Sequence, residues 1–174
     1  MNRAKLIDKQ VENQIYIIVK EFFPYFVILK CLNCMNKIEH IGIAVKELSI
    51  SIPIFEKILN TPCYKRETVS GEKVNTAFFQ VGDSKIELLE SSEEDGVIAK
   101  FIEKKGEGFH HIAFDVSNIA SEVERMKNEG FVFLNETPKA GADNKLVCFL
   151  HPKSTNGMLI ELCQEIEKNE IFHI

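Results

Sequence analysis

From residue 37 onward the chain carries the same plan twice, and this internal repeat narrows the possible folds more than any other feature. In the first copy, residues 37–45 (KIEHIGIAV) form a short β-branched run. Residues 48–59 follow, with Ile52, Phe55, Ile58 and Leu59 at the three- and four-residue spacings of a helix. Ser49 or Ser51 is expected to cap that helix, with Pro53 tolerated in its first turn. Extended segments are expected at about 63–69, 74–81 and 85–90, the last two parted by the turn signal Gly82-Asp83. In the second copy, residues 109–116 (FHHIAFDV) read as the strand, and Ser117 as the cap of a helix through Ile119, Val123 and Met126 that stops at Gly130. Strands near 131–134, 146–151 and 158–163 complete it, and a short helix at about 96–105 links the copies. Each half is thus β-α-β-β-β. One half alone offers a sheet with a single apolar face, whereas two packed together can close a curved sheet around a shared cavity.

The first 34 residues stand apart from this plan. They hold five basic residues (Arg3, Lys5, Lys9, Lys20, Lys30) against three acidic ones (Asp8, Glu12, Glu21), a net +2, while the rest of the chain carries −7. Residues 15–32 (IYIIVKEFFPYFVILKCL) approach the ~20 residues of a membrane span, but Lys20, Glu21 and Pro24 lie near the middle. Each central charge there costs about 2.5 to 3.5 kcal/mol, so no transmembrane helix is expected. Nor is a secretory signal, since Asp8 and Glu12 dilute the basic region and no A-x-A-like site follows. Residues 1–34 are read as an extension or an over-long start, 35–166 as the working domain with halves at about 37–91 and 108–165, and 167–174 as a tail. The lone Cys31-x-x-Cys34 pair, with no second pair or nearby histidine, does not read as a zinc site.

The net charge of −5 argues against nucleic acid, whose binding proteins rely on a sequence-independent electrostatic attraction. Five scattered cysteines do not make a disulfide framework, and a cytoplasmic location is expected.

The repeat also places polar residues at matching strand positions. His40 and His111 align through the shared H-I-[GA]-[IF]-x-V pattern, Glu87 sits in IELLE, and Glu161 sits in IELCQ. The His-to-Glu separations are 47 and 50 residues, so each half contributes one imidazole and one carboxylate from equivalent strands. A lone strand histidine is ordinarily a core or surface residue, and a lone strand glutamate ordinarily faces solvent. The repetition of both in register is what favours a shared role. A carboxylate within an apolar strand is costly to bury without a cationic partner. Two His and two Glu converging on one divalent metal would meet that cost, and cobalt, zinc, nickel, manganese and iron all suit such a set. His110 is expected to point to the opposite face and not to be a ligand, His151 to shape the rim, and His173 to carry no signal. The expected fold is therefore α+β: two tandem β-α-β-β-β modules forming a curved eight-stranded open barrel around a metal site.

On these residues the chain resembles the vicinal oxygen chelate superfamily, which includes glyoxalase I, extradiol dioxygenases and methylmalonyl-CoA epimerase. The resemblance covers residues 37 to about 165 and is strongest to the epimerases, through IEHIGIAVKEL, VGDSKIELLE, GFHHIAFDV and HPKSTNGMLIELCQ. It implies metal ligands at His40, His111 and Glu161, with Glu87 in a fourth position that is Gln in some members and Glu in others. It also implies an isomerase that moves a proton at C2 of methylmalonyl-CoA, an acyl-CoA of propionate metabolism. Some members carry a non-ligand Glu on the strand equivalent to 74–81, where this chain has VNTAFFQV and Thr76 takes the place. Glu161 and Glu87 are then the expected proton carriers, with a water or hydroxyl relay through Thr76 as the alternative. Lys153, Ser154 and Lys145 are expected to meet the anionic CoA. A glyoxalase I-type lactoylglutathione lyase and a non-catalytic small-molecule-binding protein of the same fold are the rival readings, and by fold-level analogy a homodimer is expected.

Overall fold

The computed structural model describes residues 35–166. The 1–34 extension, with its apolar 15–32 run and its Cys31/Cys34 pair, and the 167–174 tail, with His173, lie outside the described residues. Among the described residues no helix is long and apolar enough to cross a membrane.

The first half runs β1 (Met35–Ala44), α1 (Leu48–Leu59), β2 (Lys65–Val69), β3 (Val74–Val81) and β4 (Ser84–Ser91). After α2 (Val97–Lys105), the second half runs β5 (Gly108–Val116), α3 (Ile119–Asn128), β6 (Lys139–Ala140), β7 (Lys145–Leu150) and β8 (Leu159–Glu165). The eight strands form one mixed sheet in the order β2-β3-β4-β1-β5-β8-β7-β6. Within each half the first and last strands pair in parallel, β1 with β4 and β5 with β8, and the antiparallel β1–β5 pair joins the halves. The order of strands is the same read inward from either edge, as the duplicated sequence requires.

Period-two alternation gives the sheet a helix-covered face and a cavity face. Ala77, Phe79 and Leu88 turn to α1, where they meet Leu48 and Ile52. Cys148, Leu150 and Leu162 turn to α3, where they meet Val123 and Met126. Their strand neighbours Thr76, Phe78, Glu87, Val147 and Glu161 face the other way, into the hollow of the curved sheet. Helix α2 closes one end of that hollow by packing Ile98 against Ala44, Val74 and Leu89.

Three local expectations need correction. The FVFL segment at 131–134 forms no strand: it contributes a single bridge, Phe133 to Leu150, and Phe133 packs in the α3 core instead. Leu134 N–H donates to the Phe149 oxygen and His151 N–H to the Val132 oxygen beside that bridge, while Val132 and Leu134 are exposed; the edge strand proper is the two-residue Lys139–Ala140. Helix α3 is capped by Asn118, whose side chain accepts from the Ser121 N–H at 2.9 Å, and not by Ser117. Helix α1 begins at Leu48 after Glu47 with no side-chain cap of its own; the Glu90 carboxylate on β4 accepts from the Leu48 N–H.

Candidate metal centre

The four residues singled out by the repeat meet at the floor of the hollow. His40 on β1, His111 on β5, Glu87 on β4 and Glu161 on β8 are all buried. Nε2 of His40 lies 2.8 Å from Nε2 of His111. Glu87 Oε2 is 3.3 Å from the first and 3.6 Å from the second; Glu161 Oε2 is 3.6 Å and 3.1 Å from the same two atoms. A metal with bonds of about 2.1 Å sets neighbouring donors roughly 3.0 to 3.4 Å apart, and the separations here bracket that spacing, so the two imidazoles and Glu161 could hold one ion with Glu87 close enough to join them. The donors of His40, His111 and Glu161 all lie within 4.8 Å of one another.

Backbone register makes this convergence possible. Each parallel pair places its glutamate beside the histidine strand: Glu87 opposite Gly42, Glu161 opposite Ala113. Gly42 and His111 are partners across the β1–β5 junction, and a Cβ on Gly42 would stand 2.2 Å from Cε1 of His111. Only glycine leaves room for that ring.

The ladder between β1 and β5 slips three times, and two of the slips fall beside a histidine. Ile38 pairs with Phe114 and His40 with Ala113, which leaves Glu39 unpaired; Gly42 pairs with His111 and Ile43 with Phe109, which leaves His110 unpaired. At such bulges two consecutive side chains escape strict alternation. His110 therefore lines the cavity, contrary to the opposite-face expectation, with Nδ1 3.0 Å from Nδ1 of His111 and its ring edge-on to Phe101. Glu39, which strand periodicity did not single out, is 2% exposed and lies 2.5 Å from Nδ1 of His40. The signal lay in the sequence as the matched pairs Glu39-His40 and His110-His111.

Charge in this nest is strongly redistributed. Burial alone would lower the pKa of His40, but Glu161, Glu39 and Glu87 lift it to about 10. Burial would raise Glu161, yet both imidazoles hold it down at about 2; Glu39 is likewise held at about 2 by His40 and Lys85. Glu87 goes the other way, raised chiefly by its burial. Burial and the neighbouring His111 push His110 down to about 4.

Of the remaining expected site residues, Lys145 and Thr76 line the cavity. Lys145 pairs with Glu165 and stands 3.6 Å from Glu39. The Thr76 hydroxyl donates to the backbone oxygen of Glu67 at 3.2 Å. Lys153 and Ser154 sit in a 3-10 turn (Pro152–Ser154) outside the cavity lining, where Ser154 bonds the backbone of Val132. His151 is not at the cavity rim; its Nδ1 accepts from the Lys153 N–H and caps that turn. The cavity volume is about 90 Å³, with Val74, Phe78, Leu89, Ile98, Val147 and Phe149 among its walls.

Residues 39–149 match the Glyoxalase/Bleomycin resistance protein/Dioxygenase superfamily. The chain belongs to this superfamily. A Bacillus subtilis relative, the uncharacterized protein YqjC, is 38% identical over 130 residues, spanning 75% of this chain and 93% of the relative. The human mitochondrial methylmalonyl-CoA epimerase is 35% identical over 131 residues, spanning 75% and 74%. A solved Streptomyces coelicolor methylmalonyl-CoA epimerase in complex with 2-nitronate-propionyl-CoA superposes with a TM-score of 0.74 at 29% identity, covering 76% of this chain and 96% of that one. The human and Streptomyces coelicolor relatives are thus isomerases of an acyl-CoA.

Proposed function

We propose that this superfamily member is a metal-dependent methylmalonyl-CoA epimerase that interconverts the two configurations at C2. The observation that carries the reading is the convergence of His40, His111, Glu87 and Glu161 on one point at the floor of an apolar-walled cavity, in a chain 35% identical to an epimerase. Epimerisation requires removing a weakly acidic proton next to a thioester carbonyl and returning one to the opposite face. A divalent ion bound by these four residues would supply Lewis acidity toward the thioester oxygen and the free carboxylate. The chain's own residues do the rest. The two imidazoles fix the centre through Nε2. Glu87 and Glu161 approach it from β4 and β8, on opposite sides of the β1–β5 pair, so each can serve one face of C2 as proton acceptor or donor. The apolar walls exclude water, which protects the carbanion from random reprotonation.

The substrate is polyanionic and the domain is acidic, so its attraction must be local. Lys145 is the cavity cation proposed to meet it, and Lys153 and Ser154 are proposed to reach the CoA tail from outside the cavity. The same reading carries a homodimer, a cytoplasmic location and a place in propionate metabolism.

The test is incubation with (R)- or (S)-methylmalonyl-CoA in D2O, with and without a chelator. Deuterium entering C2 above the uncatalysed rate, and lost on chelation, is the expected result. Absence of uptake in metal-replete protein would overturn the reading; lactoylglutathione formation instead would place the protein with glyoxalase I.

A further inference from the structure

We propose that Glu39 is a positioning residue for the metal centre, its carboxylate holding the His40 imidazole in the tautomer and orientation that present Nε2 to a bound divalent cation. The inference rests on the reading of His40 as a ligand. Glu39 lies on the β1 bulge immediately before His40, 2% exposed, with Oε2 2.5 Å from Nδ1 of the ring. A proton on Nδ1 donated to this carboxylate leaves the Nε2 lone pair free to face the centre.

Burying a carboxylate costs several kcal/mol unless cations and hydrogen bonds compensate. Here the compensation is elaborate. Oε1 is held by the Lys85 ammonium, Lys145 stands 3.6 Å away, and Lys85 is itself anchored by Asp143 at 2.6 Å. The carboxylate is thereby fixed in space, and it fixes the ring in turn.

The other half of the duplicated fold shows what is particular to Glu39. At the matching bulge His110 backs His111 instead, its Nδ1 3.0 Å from Nδ1 of that ring. One imidazole is therefore backed by a carboxylate and the other by an imidazole. A carboxylate behind a ligating histidine raises the basicity of the ligand nitrogen, and loss of such a partner ordinarily weakens metal binding about 10- to 100-fold. His40 is accordingly the stronger of the two nitrogen donors. Cys163 also lies within 4.8 Å of the Glu39 and His40 ligand atoms, but burial pushes its thiol far up, and two ammonium groups on Glu39 oppose a second cation there.

The experiment uses the full chain and Co2+ as probe, reading its affinity by competition with a chelator and its visible d–d spectrum. Glu39→Gln keeps the size and an acceptor oxygen but loses the charge, and is expected to bind Co2+ about 10- to 100-fold more weakly with shifted d–d bands. Lys85→Gln removes the ion pair but leaves Glu39 beside His40, and is expected to bind more tightly than Glu39→Gln. Equal losses in the two variants, or an unchanged affinity and spectrum in folded Glu39→Gln, would overturn the inference. Should Glu39→Gln not fold, Glu39→Asp keeps the charge and draws the carboxylate back by one methylene; weaker Co2+ binding supports the role and unchanged binding overturns it. A wild-type protein that binds no Co2+ would overturn the metal reading itself, and this inference with it.

Discussion

Nε2 of His40 faces Nε2 of His111 at 2.8 Å, although 71 residues separate the two histidines along the chain. Two nitrogen lone pairs that close repel unless a proton or a cation lies between them. The pairing of His40 with Ala113 and of Gly42 with His111 forces the approach, so the β1–β5 junction is at once the seam of the duplicated fold and the place where a charge must be accommodated.

Gly42→Ala is expected to disturb this seam. The new methyl would stand 2.2 Å from Cε1 of His111, so the ring must move. A displaced ligand is expected to lower metal affinity at least about 10-fold, and the overpacking to cost about 1 to 3 kcal/mol of stability. Metal competition and urea unfolding of the variant check both. Wild-type metal affinity would mean that the ring position is not set by the glycine.

Glu161→Gln separates proton transfer from assembly. Glutamine keeps an oxygen that can ligate but cannot take up a proton at C2, so deuterium exchange is expected to fall by about 10²- to 10⁴-fold. A variant retaining full turnover together with its metal would remove Glu161 from the proton path.

Metal loading is expected to release a proton. In the metal-free protein His40 has a pKa near 10, above its ordinary 6.5, because the carboxylates Glu161, Glu39 and Glu87 outweigh the effect of burial. At pH 8 the ring is therefore charged before loading and must give up its Nε2 proton to ligate. Binding should release about one proton from His40 at pH 8, and affinity should rise with pH until about 10, where the ring is already neutral. Titration calorimetry in buffers of different ionisation enthalpy reads the proton count directly.

The convergence of His40, His111, Glu87 and Glu161 was legible in the sequence because the duplication places all four at matching strand positions. Glu39 and His110 were not, because a bulge cancels alternation at the residue before each histidine, and nothing short of the strand register locates a bulge. The 131–134 segment misled because only Phe131 and Phe133 turn to the α3 core and the pairing stops at one bridge, while the short Lys139–Ala140 takes the edge of the sheet. The repeat predicted the architecture correctly since its logic is global, and the failures are local, at bulges, helix caps and loops where single contacts decide the outcome.

The two outer edges of the open barrel are tied by charge, and the ties should differ in strength. Asp143, in the loop between β6 and β7, accepts from Lys65 on β2 at 3.0 Å and Lys85 on β4 at 2.6 Å, and its N–H donates to Glu67 at 3.0 Å. Farther out, Lys139 on β6 pairs with Glu72. Side-chain exposure is 13% for Lys85 and 23% for Asp143, against 44% for Lys139 and 31% for Glu72. Water and salt therefore screen the outer pair more. Asp143→Ala strips a partner from two ammonium groups, one of them largely buried, and is expected to cost about 1.5 to 3 kcal/mol. Lys139→Ala is expected to cost less than about 1 kcal/mol, an effect that fades as salt is raised. Urea unfolding of the two variants at low and high ionic strength decides the matter: equal losses would mean that the Asp143 node does not hold the second half against the first.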